Sequence, residues 1–188
     1  MKQEEFIKNI HRRLASIAVG GSALRNQGAS GLVSTARNYF EKSIFLEEFF
    51  KNLQSENEFQ DYLNKHTCIL KMEFPEGAQN WGASRKSLNL FFRELVYNKF
   101  IYEYYKIPIG LNDFNKVIRH LEVPLDLDVS TGIFKDFKIL ELNNNLKKWK
   151  SIKELTFDTS SLYQNAALKI ADDKKIARVH LDLIYWRQ

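Results

Sequence analysis

Residues 81–93 read WGASRKSLNLFFR. The first half, around Gly82, has the composition of a tight hairpin. The second half opens an amphipathic helix in which Leu88, Phe91, Phe92 and Leu95 recur on one stripe. At about 100° per residue, Lys86, Asn89 and Arg93 fall on the opposite face, so the periodicity points Lys86 away from the core, at a helix start. Unpaired backbone N–H groups at such a start favour an anion, and a lysine beside them can contact phosphate or act as a nucleophile. An ordinary solvated lysine fits the same spacing.

Outward from this stretch the chain reads as helical. It has 188 residues, 44% of them hydrophobic, with only three prolines and eight glycines, which predicts one all-α domain over residues 1–188, with room for two lobes and the hairpin at 82–86. Phe6, Ile10, Leu14 and Ile17 mark a helix over 2–18. Residues 32–53 mark a second, with a break signalled at Ser43. Ser55 and Glu58 form a capping-box pattern before a helix over 56–66, closed by His66 in its last turn. The run LVYNKFIYEYY, residues 95–105, is aromatic almost all round and extends the helix of the quoted stretch. Ile107–Gly110 breaks it, and a short helix follows over 112–121 with Asn112 as its N-cap. Pro124 biases Val123 towards an extended conformation and sets Asp126 at or just before a new helix, where a carboxylate is also the ordinary N-capping residue. Residues 143–150 are polar and basic, Thr156–Ser161 caps a helix through Leu162, Ala166 and Ile170, and the tail reads as helix more readily than strand.

Between the first two helices, residues 20–31 hold four glycines with Arg25, Asn26 and Gln27. The stretch is either a flexible connector or a loop that presents donors to a ligand, and Ser22–Gln27 can form a short helix. Cys68 is the single cysteine, which rules out an internal disulfide and a Cys-rich zinc site; its neighbours Ile69 and Leu70 predict burial. The formal charge of +5 suits a polyanionic partner. The start MKQEEFIKNIHRR lacks the apolar stretch of a signal peptide and no run is long enough to span a membrane, so a cytoplasmic, soluble chain with no membrane partner is expected.

Two of these stretches together resemble a known family. Gly82-Ala83-Ser84-Arg85-Lys86 resembles the Gly-x-Gly-x-Lys signature of helix-hairpin-helix DNA glycosylases, and KSLNLFFR, residues 86–93, is similar to the matching segment of archaeal-type 8-oxoguanine DNA glycosylases. Forty positions after Lys86, PLDLDV resembles that family's Pro-Val-Asp-x-His-Val segment, so Lys86 and Asp126 match its catalytic pair. SALRNQ, residues 22–27, is similar to a base-contacting loop of the same group, and Asp182 with Trp186 to its C-terminal acid and tryptophan. The chain departs from the pattern at Ser84, which replaces the second glycine, and at Asp128, which stands where histidine is usual. It also lacks the cysteines of an iron–sulfur module.

The resemblance implies a glycosylase-like bundle with a cleft between two helical lobes, working as a monomer with no cofactor and no metal on DNA that contains a damaged base. It implies excision of an oxidised purine such as 8-oxoguanine. Lys86 would be the nucleophile, Asp126 its assistant, and the product of attack a Schiff base that permits strand cleavage. Gln27 and Asp182 would hydrogen-bond the flipped base and Trp186 would stack on it, although a tryptophan there is equally a core residue. Gly82, Ser84, Arg85 and Arg93 would hold phosphate. The other reading is a catalytically silent helix-hairpin-helix module that binds DNA or a protein partner, as in phage-defence or mobile-element systems. A helical interaction protein without nucleic acid is a third, favoured if the positive charge is evenly scattered.

Overall fold

The computed structural model describes residues 2–106, 111–140 and 146–186, and these residues form helices with no strand. The elements are α1 (Gln3–Ile17), α2 (Leu32–Ser43), α3 (Leu46–Asn52), α4 (Glu56–Glu73), α5 (Trp81–Tyr97), α6 (Lys99–Tyr104), α7 (Leu111–Ile118), α8 (Leu127–Ile139), α9 (Phe157–Asp173) and α10 (Leu181–Tyr185). Short 3-10 turns occupy Ile152–Glu154 and Arg178–His180. The expected break at Ile107–Gly110 and residues 143–145 of the polar run lie outside the described residues. No described helix is long and apolar enough to cross a membrane.

The buried apolar side chains form two clusters. The larger gathers Leu14, Tyr39, Phe40, Phe49, Phe59, Leu63, Leu70, Leu88, Phe91, Phe92, Leu95, Ile101 and Ile118, drawn from α1 to α7. The smaller gathers Val129, Ile133, Trp149, Leu155, Tyr163, Ala167, Ile170, Leu181 and Tyr185, drawn from α8 to α10 and the segment before α9. The stripe read from α5 is the spine of the larger cluster: Phe91 stacks on Phe40 with ring centroids 4.4 Å apart, and Phe92 meets Phe49 at 4.7 Å. Each such side chain contributes roughly 1.5–3 kcal/mol on burial.

The expected hairpin at 82–86 is corrected. Asn80 caps α5, its side-chain oxygen accepting from the Ala83 N–H at 2.8 Å, so residues 82–86 already lie in the first turns of the helix. The connection is Phe74–Asn80 instead. Pro75 keeps Phe74 extended (φ −63°, ψ 147°) and stops α4, and Gly77 takes the left-handed turn at φ 81°. Gly82 serves close approach rather than a turn, because a Cβ there would sit 2.2 Å from the Ile152 carbonyl oxygen and 2.8 Å from the Leu155 Cβ.

Other boundaries move for similar reasons. Without a breaker before Pro75, α4 continues to Glu73, which puts His66 inside the helix, buried and 2.6 Å from the Tyr39 hydroxyl. Ser55 precedes α4 as expected but makes no side-chain capping bond. Asn98 interrupts the long aromatic run and caps α6, its side chain accepting from the N–H groups of Phe100 and Ile101. Helix α7 begins at Leu111, one residue before the expected cap, Asn112. Residues 22–27 form turns rather than a helix, and Cys68 is exposed on the outer face of α4. The expected break after Ser43, the Asp126 and Thr156 caps and a helical tail are all present.

Candidate active site

Lys86 and Asp126 meet. Helix α5 carries Lys86 about one and a half turns ahead of Phe91, and its ammonium nitrogen lies 3.4 Å from Asp126 Oδ2 and donates to the Ala23 carbonyl at 3.4 Å. The expectation that Lys86 points away from the core is corrected: the residue is 6% exposed, because α1, the 20–31 loop and α8 enclose the face that periodicity assigns to solvent. Burial lowers the Lys86 pKa from its usual value, and the attraction and hydrogen bond of Asp126, then the charge of Asp128, recover only part of that shift. The contact is longer than the roughly 2.7–2.9 Å of a tight charge-assisted bond, so the carboxylate does not lock the amine.

Asp126 divides its oxygens. Oδ1 accepts from the Val129 N–H at 3.0 Å and caps α8, while Oδ2 faces Lys86. The capping role and the pairing role therefore coexist in one side chain, which the sequence presents as alternatives.

A pocket of about 510 Å³ opens in front of the pair, within the size range of small-molecule sites. Its walls come from both clusters: Ser22, Ala23, Arg25, Lys86 and Arg93 on one side, and Asp126, Asp128, Asp182, Leu183 and Trp186 on the other. Trp186 is 59% exposed at its rim, so it is not the core residue that a tryptophan most often is. Asp182 is buried and pairs with Arg93, which also holds Glu94 at 2.6 Å. Asp128, in the first turn of α8, lines this pocket as well.

A second pocket of about 280 Å³ shares Arg25, Lys86 and Asp126 with the first and is lined by Asn26, Gln27, Trp149, Lys150 and Ser151 among others. Gln27 is here and not beside Trp186. It is buried, donating to the Arg25 carbonyl at 2.8 Å and accepting from Asn80 at 3.2 Å. A larger cavity, about 720 Å³, lies against α1 and α2 and touches neither Lys86 nor Asp126.

Three of the four residues expected to hold phosphate are internal. Gly82 is pressed on Ile152, and the Ser84 hydroxyl donates to the Asn80 carbonyl at 3.1 Å. Arg85, 2% exposed, donates to both oxygens of Glu122, at 2.8 and 2.7 Å, and to Asn64 and Thr67. Helical geometry explains the correction: an early helix start turns these residues into the interior, where the guanidinium serves packing. Arg93, the fourth, lines the pocket beside Trp186.

Several positioning residues escaped the sequence. Tyr185 packs over Gly132, where a Cβ would lie 2.3 Å from its ring, and its hydroxyl donates to Asp136 at 2.6 Å. Arg178 donates to the carbonyls of Leu121 and His120, and His180 bridges the Tyr97 hydroxyl and Asn115. Together they seat α10, and so Asp182 and Trp186, against the rest of the fold. Such contacts join residues far apart in the chain and leave no local pattern. Comparison with protein-family models, with curated proteins and with solved structures finds no match to this chain.

Proposed function

We propose that the chain is a base-excision DNA glycosylase with abasic-site lyase activity, acting on an oxidised purine such as 8-oxoguanine. The observation that carries the reading is the buried Lys86 ammonium, 3.4 Å from Asp126 Oδ2, at a pocket rimmed by an exposed tryptophan. A lysine nucleophile must be neutral, and burial moves Lys86 in that direction. A duplex hides its glycosidic bonds, so the target nucleotide would be turned out into the pocket, with Trp186 under the base and the Asp182 carboxylate near its edge.

In the reaction the Nζ lone pair attacks C1′, and the bond from C1′ to the base nitrogen breaks with its electrons leaving on the base. Asp126 Oδ2 takes the proton that Nζ sheds and, while ionised, stabilises the positive charge that develops on the sugar. Opening of the C1′–O4′ bond, with the proton on Asp126 passing to O4′, gives a protonated Schiff base and returns the carboxylate to its ionised form. Loss of a C2′ proton then expels the 3′ phosphate and cuts the strand.

Sodium borohydride trapping on oligonucleotides bearing 8-oxoguanine, other oxidised purines or an abasic site tests this directly. A reduced covalent adduct with the wild-type protein, absent in Lys86→Gln, is the expected result. No adduct on any of these substrates would defeat the enzyme reading and favour the binding module, whose cap at Asp126 needs no chemistry.

A further inference from the structure

With Gly82, Ser84 and Arg85 turned inward, the strand that would deliver a nucleotide to Lys86 has no backbone contact at the start of α5. The segment 147–154, KKWKSIKE, offers a different one. It holds four lysines against one glutamate, a net charge of +3 in eight residues of a chain whose net charge is +5. Lys147, Lys148, Lys150 and Lys153 are all exposed, and among the described residues none of them is within ion-pair reach of a carboxylate. Elsewhere Lys8 is matched by Glu4, Lys65 by Glu48, Lys99 by Glu103 and Lys174 by Asp136.

The segment is anchored rather than loose. Trp149 is buried edge-on against Tyr163, and the Tyr163 hydroxyl donates to the Lys147 carbonyl at 3.2 Å. The Lys150 N–H donates to Glu154 at 3.1 Å, Ser151 caps the turn that follows, and Ile152 rests on Gly82. The backbone is therefore held while the lysine side chains are exposed, the Lys148 ammonium lying over the Phe134 ring at 5.1 Å from its centroid. The segment's position matters more than its charge: Trp149, Lys150 and Ser151 wall a pocket that reaches Lys86 and Asp126, that Trp186 does not line, and whose wall also includes Arg25. The Lys153 ammonium lies beside Gly28, the residue after Gln27 of that wall. The Trp149 indole N–H is a buried donor with no hydrogen-bond partner among the described residues.

We infer that residues 147–153, with Arg25, form the phosphodiester-binding track of this protein, holding the DNA backbone next to the nucleotide whose base enters the Trp186 pocket. The inference rests on the DNA reading of the Lys86 site and adds the surface through which the strand is gripped. The four lysines are point charges suited to phosphate without reading sequence.

The test measures binding of a fluorescein-labelled oligonucleotide with one abasic site across a salt series, by anisotropy, for three full-length proteins: wild type, K147Q/K148Q/K150Q/K153Q, and the charge-matched control K8Q/K51Q/K65Q/K99Q. The segment variant should lose about tenfold or more in affinity at low salt, and its log–log salt slope should flatten by roughly three. The control should track the wild type. Equal losses in both variants would mean that only net charge matters, and no loss in either would leave the strand gripped elsewhere; both results overturn the track, while salt-dependent binding and borohydride trapping by the wild type would keep the DNA reading. Wild-type protein that binds no DNA at low salt would sink both. If the quadruple variant fails to fold by circular dichroism, K150Q/K153Q answers the same question with a slope change of roughly two.

Discussion

At the scale of the residue, Asp126 carries the sharpest test, because its two oxygens do separable work. Asparagine keeps an oxygen for the Val129 N–H and is about as good a cap as aspartate, so Asp126→Asn should leave stability nearly unchanged. The charge is what is lost. Asp126 raises the Lys86 pKa against the larger lowering by burial, so its removal should lower that pKa further and increase the neutral amine. If the carboxylate did no more than this, the variant would be faster near neutral pH. If it accepts the proton or steadies the sugar cation, trapping under single-turnover conditions should slow by roughly two or more orders of magnitude. Asp128→Asn is the comparison. Asp128 ranks last among the influences on Lys86, so a smaller loss is expected; a larger one would identify it as the working carboxylate. In the wild type, the ascending limb of the pH–rate profile should report Lys86 losing its proton below the lysine's usual 10.5. A limb at or above that value would contradict an active buried amine. The pairing of Lys86 with Asp126 was legible in the sequence because two short motifs carry it. The burial of Lys86 was not, since a helical wheel divides one helix into faces and says nothing of what neighbours cover the second face.

At the scale of the element, the start of α5 shows how close readings of the same residues diverge. Gly82 within a Gly-x-x-x-Lys run reads as a turn, yet Asn80 two residues earlier is the better N-cap and wins, which moves the helix start and buries Ser84 and Arg85. Gly82→Ala discriminates the two. A hairpin would tolerate or resent it through φ, whereas here helical φ suits alanine and the added methyl collides with Ile152 and Leu155. Overpacking of this kind typically costs about 1–3 kcal/mol, read as a lower urea midpoint; a gain in stability would deny the close approach. The tie between α2 and α4 makes a separate prediction. Burial, with a smaller effect from Lys65, holds His66 down at about 4, while the unfolded chain binds its proton near the usual 6.5. Between those values the unfolded state carries a proton that the folded state refuses, so this contribution to stability falls as pH drops from 6.5 towards 4. Tyr39→Phe/His66→Leu removes both hydrogen-bonding partners together, which costs little at pH 7. The variant should then lose less stability than the wild type on acidification through that window. Parallel stability–pH curves for the two proteins would exclude His66 as a source of acid sensitivity.

At the scale of the whole molecule, two apolar clusters meet across a polar seam, and the seam explains why an all-helical class was readable from periodicity while the arrangement of the helices was not. Leu121 belongs to the larger cluster and Val123 to the smaller, and Glu122 lies between them, buried. It accepts from Arg85 on α5 at 2.8 and 2.7 Å and from Asn89 at 3.1 Å, while Arg178 anchors the last elements to the His120 and Leu121 carbonyls just before it. A glutamate between leucine and valine in sequence reads as a solvated charge; only its partners, 37 and 33 residues away, make it a keystone. Burial by itself would raise the Glu122 carboxyl, but Arg85, then Arg178 and the Asn89 bond, outweigh it and hold the pKa below the usual carboxylate range. A depressed carboxyl adds stability above its unfolded pKa, near 4.3, that is lost as pH falls through the folded value. Glu122→Ala would leave the Arg85 guanidinium buried with Asn64, Thr67 and Gln60 but no counter-charge, a change that typically costs about 3–5 kcal/mol. Arg85→Met/Glu122→Leu removes both charges and fills the space, so it should recover most of that loss and shed the acid limb that Glu122 provides. Because the pair sits where the chain passes from one cluster to the other, urea unfolding should remain a single transition in the wild type and shift as a whole in Glu122→Ala. Two separated transitions in the wild type would make the clusters independent domains, and an unchanged midpoint in Glu122→Ala would remove the pair from what holds them together.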